Sequence, residues 1–149
     1  MAKVLALHGP NLNLLGDREP HIYGSDSLDD INKRCQNLCA SKGHEFVFLQ
    51  SNAEADFINR LHDARTDGTE FMIVNFGGFT HTSVAIRDAI LAADIPFIEV
   101  HISNIFAREE FRQRSFLSDI AQGCISGLGV SSYLFAADYA VNWLSENSV

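Results

Sequence analysis

The chain has 149 residues, 46% hydrophobic and 20% charged, with a formal net charge of -8, which suits one well-covered core and a single domain over residues 1–149. An acidic chain of this kind excludes nonspecific attraction to nucleic acid or anionic membrane, so an anionic ligand has to be held by a local basic cluster. Cys35, Cys39 and Cys124 form an odd set without Cys-x-x-Cys spacing, which argues against a disulfide framework or a zinc centre and for small buried thiols in a reducing compartment.

The first apolar run, Lys3 to Leu7, is too short for a signal peptide and is interrupted by His8-Gly9-Pro10. No later stretch approaches a membrane span, so the expectation is a soluble, cytoplasmic protein. Further strand-length runs follow at Glu45–Leu49, Phe71–Asn75 and Phe97–Val100, with a weaker one near Cys124-Ile125. Between the first two, Ser27 reads as an N-cap with Asp29 and Asp30 in the first turn. Leu28, Ile31, Cys35 and Leu38 share a helical face, and Gly43 supplies the stop. Ser51-Asn52-Ala53-Glu54 has capping-box spacing before a second helix carrying Phe57, Ile58 and Leu61. A third helix is expected after Thr82, burying Ala85, Ile86, Ala89 and Ile90, and a fourth from about Ser132 to Leu144. Strands alternating with helices predict βαβ units around a parallel sheet.

Ligands of an open parallel sheet collect beyond the carboxyl ends of its strands. The segments there are His8–Gly24, Phe76–His81 and His101–Arg114. The first is long for a βα connection, and long loops in compact domains tend to be functional. Within it Arg18 and Tyr23 flank Pro20, and a turn that brings the guanidinium to the phenol favours the phenolate, a potential general base. In the second, paired glycines allow close backbone approach, and Asn75 and His81 present an amide and an imidazole. In the third, Glu99 and His101 alternate to one face of a strand, so that the carboxylate can orient an acid. Ile102 and Ser103 offer backbone N–H groups, and Arg108 and Arg112, four apart, suit one face of a helix and an anionic or hydroxylated ligand. A base, an oriented acid, amide donors and an anion clamp suit proton abstraction next to a carbonyl followed by loss of hydroxide.

These residues resemble a known family. Gly9-Pro10-Asn11-Leu12-Asn13-Leu14-Leu15-Gly16, Arg18-Glu19-Pro20, Tyr23-Gly24, Thr80-His81-Thr82-Ser83, Glu99-Val100-His101-Ile102-Ser103-Asn104 and Arg108-Glu109-Glu110-Phe111-Arg112 are similar to the signatures of the type II 3-dehydroquinate dehydratases, in order and over nearly the whole chain. The resemblance implies a flavodoxin-like, doubly wound parallel five-stranded sheet flanked by helices. It also implies conversion of 3-dehydroquinate to 3-dehydroshikimate in the shikimate pathway, with no metal or organic cofactor. In that family the tyrosine matching Tyr23 is the base, activated by Arg18, and the asparagine matching Asn11 holds a water that stabilises an enolate. The histidine matching His101, paired with Glu99, protonates the departing hydroxyl in an anti elimination. Asn75, His81 and Arg112 would hold the substrate hydroxyls, the Ile102 and Ser103 backbone its carboxylate, and Asp88 would reach into a neighbouring subunit's site in a dodecamer of trimers.

His8 departs from the asparagine common in that family, Phe76 and Gly78 from a proline and an alanine, and Gln113 from a histidine; these departures bear on pocket shape. Three rival readings have discriminating features. A Schiff-base enzyme needs a lysine in the site, whereas Lys3, Lys33 and Lys42 fall outside the three segments. A flavin- or phosphate-binding module needs a phosphate loop or an acidic acceptor cluster. A metal site would draw together His8, His81 and His101.

Overall fold

The structure, a computed structural model, describes residues 1–17 and 19–147, with Tyr23 described by its backbone alone. Five parallel strands, β1 (Lys3–His8), β2 (Glu45–Gln50), β3 (Thr69–Asn75), β4 (Phe97–His101) and β5 (Gly123–Ser126), form one sheet in the order β2-β1-β3-β4-β5. This is the flavodoxin-like arrangement, in which the strand order reverses between β1 and β3 and opens a crevice there. The three central strands are buried almost throughout, because helices cover both faces and leave no position for alternating polar residues. The edge strand β2 is partly exposed.

The helices are α1 (Pro20–Tyr23), α2 (Leu28–Ser41), α3 (Glu54–Ala64), α4 (Val84–Ala93) and α5 (Ser131–Asn147). One core cluster unites Val4, Ala6, Phe71 and Ile73 with Ile31 and Cys35 of α2 and with Tyr133, Ala136, Ala137, Ala140 and Val141 of α5. The opposite face joins Leu5, Leu7, Met72 and Val74 to Phe57 and Leu61 of α3 and to Ile86 and Ile90 of α4. Neighbouring strand residues thus feed opposite cores, as the two-residue repeat of the pleat requires. Each fully buried large apolar side chain contributes roughly 1.5–3 kcal/mol to this assembly. Cys35 and Cys39 are buried, Cys124 is exposed, and burial pushes the Cys35 thiol up to about 12.

Local signals operate as expected at α2. Ser27 Oγ accepts from the Asp30 N–H at 3.1 Å, and the Asp30 carboxylate accepts from the Ser27 N–H at 3.0 Å, forming a complete capping box. The expected box at Ser51 and Glu54 does not form. Glu54 instead accepts from Ser83 Oγ at 2.6 Å, while Ser51 Oγ accepts from the Ala53 N–H and donates to Asp56 at 2.6 Å. The tertiary hydroxyl takes the carboxylate that the local cap would have used. Ser83 also caps α4, accepting from the Ile86 N–H at 3.0 Å. Ala85 on that helix is exposed rather than buried, and Ala93 takes its place in the core.

Gly9 pins the crevice. Its N–H donates to the Asn75 carbonyl at 2.6 Å, and a β-carbon there would lie 2.2 Å from the Phe76 backbone. Only a glycine lets the ends of β1 and β3 approach so closely.

Candidate active site

Beyond the carboxyl ends of β1, β3 and β4 lies a cavity of about 140 Å³, lined among others by Asn11, Asn75, His81, His101, Arg108 and Arg112. Pro10, Leu12, Gly77, Gly78, Ile102 and Ser103 complete much of its wall. The three sequence segments therefore converge, and two arginines and two histidines supply the local basic cluster that an acidic chain needs to hold an anion.

At the back of the cavity, β4 presents Glu99 and His101 on one side of the strand. His101 Nε2 stands 2.6 Å from Glu99 Oε2, and both residues are buried. The other carboxylate oxygen, Oε1, accepts from Ser115 Oγ and Ser118 Oγ, each at 2.8 Å. Burial alone would raise the Glu99 carboxyl, but hydrogen bonds from His101, Ser115 and Ser118 and the attraction of His101 outweigh it and lower its pKa. Glu99 is thus kept ionised in a place where an unpaired carboxylate would take up a proton. With Nε2 engaged, Nδ1 is the imidazole nitrogen left for a ligand.

His81 ends the 3-10 turn Gly77–His81 and stacks on His101 with ring centroids 6.1 Å apart. Its Nδ1 donates to the Arg114 carbonyl at 2.7 Å, which fixes the ring and directs Nε2 elsewhere. Desolvation lowers its pKa, helped by His101 and Arg112 and opposed by the Arg114 hydrogen bond and Glu99. With its one proton on Nδ1, the neutral ring offers Nε2 as an acceptor to a ligand hydroxyl. Asn75, the last residue of β3, has Oδ1 held by the Gly77 N–H at 3.2 Å. Asn11 adopts φ 71°, and its N–H donates to Asn52 Oδ1 at 3.0 Å.

The arginines reach the cavity by a different route from the helical one expected. Arg108 is extended and separates two 3-10 turns, Ile105–Ala107 and Glu110–Gln113. Asn104 caps the first, its Oδ1 accepting from the Phe106 N–H at 3.1 Å, and the chain restarts at Glu109. Arg108 Nη1 donates to Ser103 Oγ at 3.2 Å, and Arg112 Nε donates to Glu109 at 2.5 Å. Each guanidinium presents several N–H donors in a planar fork suited to oxygen ligands.

Of the other sequence candidates, Tyr23 is the last residue of α1, and Arg18 lies outside the described residues. Asp88 sits on the exposed side of α4, away from the residues that line the cavity. His8 is fully buried on β1, with Nε2 2.7 Å from Asn32 Oδ1 and Nδ1 3.0 Å from Tyr133 Oη. It does not join His81 and His101, and among the described residues no group of three acidic, histidine or cysteine side chains is arranged to hold a metal ion. Lys3 donates to the Asp67 carbonyl at 2.8 Å, and Lys33 and Lys42 are exposed; none lines the cavity. Of the family departures, Phe76 is buried edge-on against Phe57 and Gln113 donates to the Phe106 carbonyl at 3.2 Å. Gly78 lines the cavity, with open space where a β-carbon would be.

Ser115, Ser118 and Tyr133 were not singled out from sequence. Two serines three apart after a basic segment carry a weak signal. The Tyr133 ring sits at a helix position that reads simply as core.

The family model described as Dehydroquinase class II matches residues 2–141. A 3-dehydroquinate dehydratase of Teredinibacter turnerae is 54% identical over 147 residues, covering 99% of this chain and 96% of its own. One from Saccharophagus degradans is 57% identical over 140 residues, with 94% and 96% covered. The crystal structure of a type II dehydroquinase from Propionibacterium acnes superposes with a TM-score of 0.90 at 38% identity, covering 95% of this chain and 97% of that one.

Proposed function

Since the chain belongs to the class II dehydroquinase family, we propose that it is a 3-dehydroquinate dehydratase that forms 3-dehydroshikimate and water without a metal or organic cofactor. The observation that carries this reading is the buried Glu99–His101 pair at the floor of a cavity lined by basic and amide side chains.

Tyr23, activated by Arg18, takes the proton from the carbon beside the ketone. The C–H electron pair moves to the carbonyl oxygen, and the resulting enolate is stabilised through a water held by Asn11. When the carbonyl re-forms, the C–O bond breaks on the opposite face and the departing hydroxyl takes a proton from His101. Glu99 compensates the charge on the imidazolium while it waits to react. Return of the proton from Tyr23 to His101 through solvent closes the cycle. Asn75, His81 and Arg112 hold the substrate hydroxyls, and the Ile102 and Ser103 backbone holds the carboxylate. Asp88, exposed on α4, serves a neighbouring subunit's site in an assembly of trimers into a dodecamer.

The test is the ultraviolet absorbance of the conjugated enone product when 3-dehydroquinate is added, with Tyr23→Phe alongside. Product from the wild type and almost none from Tyr23→Phe supports both reaction and base. No product from folded wild-type protein refutes the reaction, and undiminished turnover in Tyr23→Phe refutes the base. Borohydride added with substrate leaves the enzyme active under this mechanism, whereas an imine mechanism predicts inactivation.

A further inference from the structure

The segment from Arg114 to Asp119 serves both imidazoles of the cavity. His81 donates to its Arg114 carbonyl, and Glu99, the partner of His101, accepts from its Ser115 and Ser118 hydroxyls. The path of the segment is set by Leu117, buried in the same core cluster as Ile86 and Ile90, and by the Phe116 N–H, which donates to the Thr80 carbonyl at 3.0 Å. A half-buried arginine of α4 grips it as well. Arg87 Nη1 donates to the Phe116 carbonyl at 2.7 Å, and its two terminal nitrogens hold the Asp119 carboxylate at 2.5 and 3.0 Å. The proposed chemistry gives Arg87 no part.

How far this grip extends follows from counting donors. The Phe116 carbonyl and the Leu117 N–H are the two ends of one planar peptide unit, so turning one turns the other. The N–H end donates to Ser115 Oγ at 3.0 Å, and the Ser118 N–H donates to the same oxygen at 3.1 Å. A hydroxyl oxygen accepts two such bonds and carries one proton, which is left for Glu99 Oε1, 2.8 Å away. A chain of hydrogen bonds therefore runs from the guanidinium through a peptide and a serine to the carboxylate that orients His101. No proton moves along it. Each donor is polarised by the one before, and such bonds strengthen one another away from water.

We propose that Arg87 is a positioning residue for the acid: by fixing the peptide between Phe116 and Leu117, it aims the Ser115 hydroxyl at the carboxylate that orients His101. The inference rests on the reading of the Glu99–His101 pair as the acid. The bond from Ser115 is one of those that lower the Glu99 carboxyl, so loosening it raises that carboxyl toward its ordinary value. The other ionisable groups around the pair are His81 from the turn after β3, Cys124 from β5, and Arg108 and Arg112 on the cavity wall. None of them belongs to the relay.

The experiment follows the Glu99 carboxyl of the full chain by ¹³C NMR through a pH titration, its signal assigned by its loss in Glu99→Gln, with kcat for 3-dehydroquinate measured against pH alongside. Arg87→Met keeps the apolar stem and removes every donor. The Glu99 titration and the acidic limb of kcat are both expected to move upward by roughly half a pH unit, the effect of weakening one hydrogen bond. Arg87→Lys keeps a donor for the Phe116 carbonyl and should restore part of the shift; a shift as large as that of Arg87→Met counts against the carbonyl contact. In Ser115→Ala, which already lacks the hydroxyl, Arg87→Met should add nothing. Shifts that add mark an effect through space or a general loosening, and they overturn the proposal. A Glu99 titration that stays in place in folded Arg87→Met overturns it as well. Were Arg87→Met not to fold, Arg87→Lys carries the same cycle with a smaller expected shift. Should the Glu99 signal move in Arg87→Met while the kcat limb does not, the relay stands and the reading of the pair as the acid is refuted.

Discussion

Glu99 Oε2 and His101 Nε2 stand 2.6 Å apart on one side of β4, both closed off from solvent. A buried pair of this kind is weak evidence for stability, because desolvation of the two groups offsets much of their attraction. It is stronger evidence for chemistry. The carboxylate fixes which imidazole nitrogen faces the cavity, and its two serine donors leave neither oxygen unsatisfied.

Glu99→Gln preserves the shape of the pair and removes its charge. If His101 is the acid, kcat falls about 10²-fold while KM changes little. Steady-state kinetics check this, and an unaltered kcat removes Glu99 from the mechanism.

Ser118→Ala deletes one of the donors to Glu99 Oε1. The hydrogen bonds lower the Glu99 carboxyl, so deleting one raises it toward its ordinary value. The ionised pair is then lost at a higher pH on acidification, and the acidic limb of the kcat profile moves upward. Ser115→Ala does the same but also strips the acceptor of the Leu117 and Ser118 N–H groups. It should cost a further roughly 1–2 kcal/mol in denaturant unfolding. A limb that stays in place in both variants would separate the serines from the acid.

His8 makes stability depend on pH. Burial lowers its pKa from the ordinary 6.5 to about 4, so the unfolded chain binds a proton that the native state refuses. The folded protein is unaffected by this group above about pH 6.5, loses stability as pH falls below it, and carries the full penalty, about 3 kcal/mol, below about pH 4. Urea midpoints at pH 7.5 and 5, compared between wild type and His8→Asn, isolate the contribution. A wild-type change no steeper than that of His8→Asn would show that His8 is not the titrating group.

Gly9→Ala drives a β-carbon into the Phe76 backbone, 2.2 Å away. Because backbone cannot swing aside as a side chain does, the loss should reach about 3 kcal/mol, the upper end for overpacking, and the ends of β1 and β3 must part. Thermal unfolding together with KM reads both effects; a variant with native stability and KM shows that the two loops have slack.

How much of this was legible in the sequence depended on the range of the interaction. Strand positions and the Ser27–Asp30 box were readable because they are set within a few residues. The Ser51–Glu54 box has equally good spacing, yet it fails because Ser83, distant in sequence, claims the carboxylate. Arg108 and Arg112 line the cavity but do not share the helical face their spacing suggests, since the extended backbone at Arg108 breaks the segment into two turns. Glu99 and His101 could be paired by strand alternation alone. Ser115 and Ser118 could not be joined to them, because nothing local says that the returning loop passes beneath β4. Tyr133 hid for a related reason: helical period marks a residue as buried without saying which polar partner its hydroxyl meets.

The strand order has a further consequence during synthesis. β1 leaves the ribosome first but ends in the middle of the sheet, between β2 and β3. Its apolar residues Val4 to Leu7 have two bare hydrogen-bonding edges until Glu45–Gln50 and then Thr69–Asn75 have been made. Unpaired apolar strands of this kind invite pairing with other chains. The nascent protein is therefore most exposed to aggregation before its third strand emerges, and a synonymous slowing of translation within that stretch should lower the yield of soluble enzyme more than the same delay placed after Asn75.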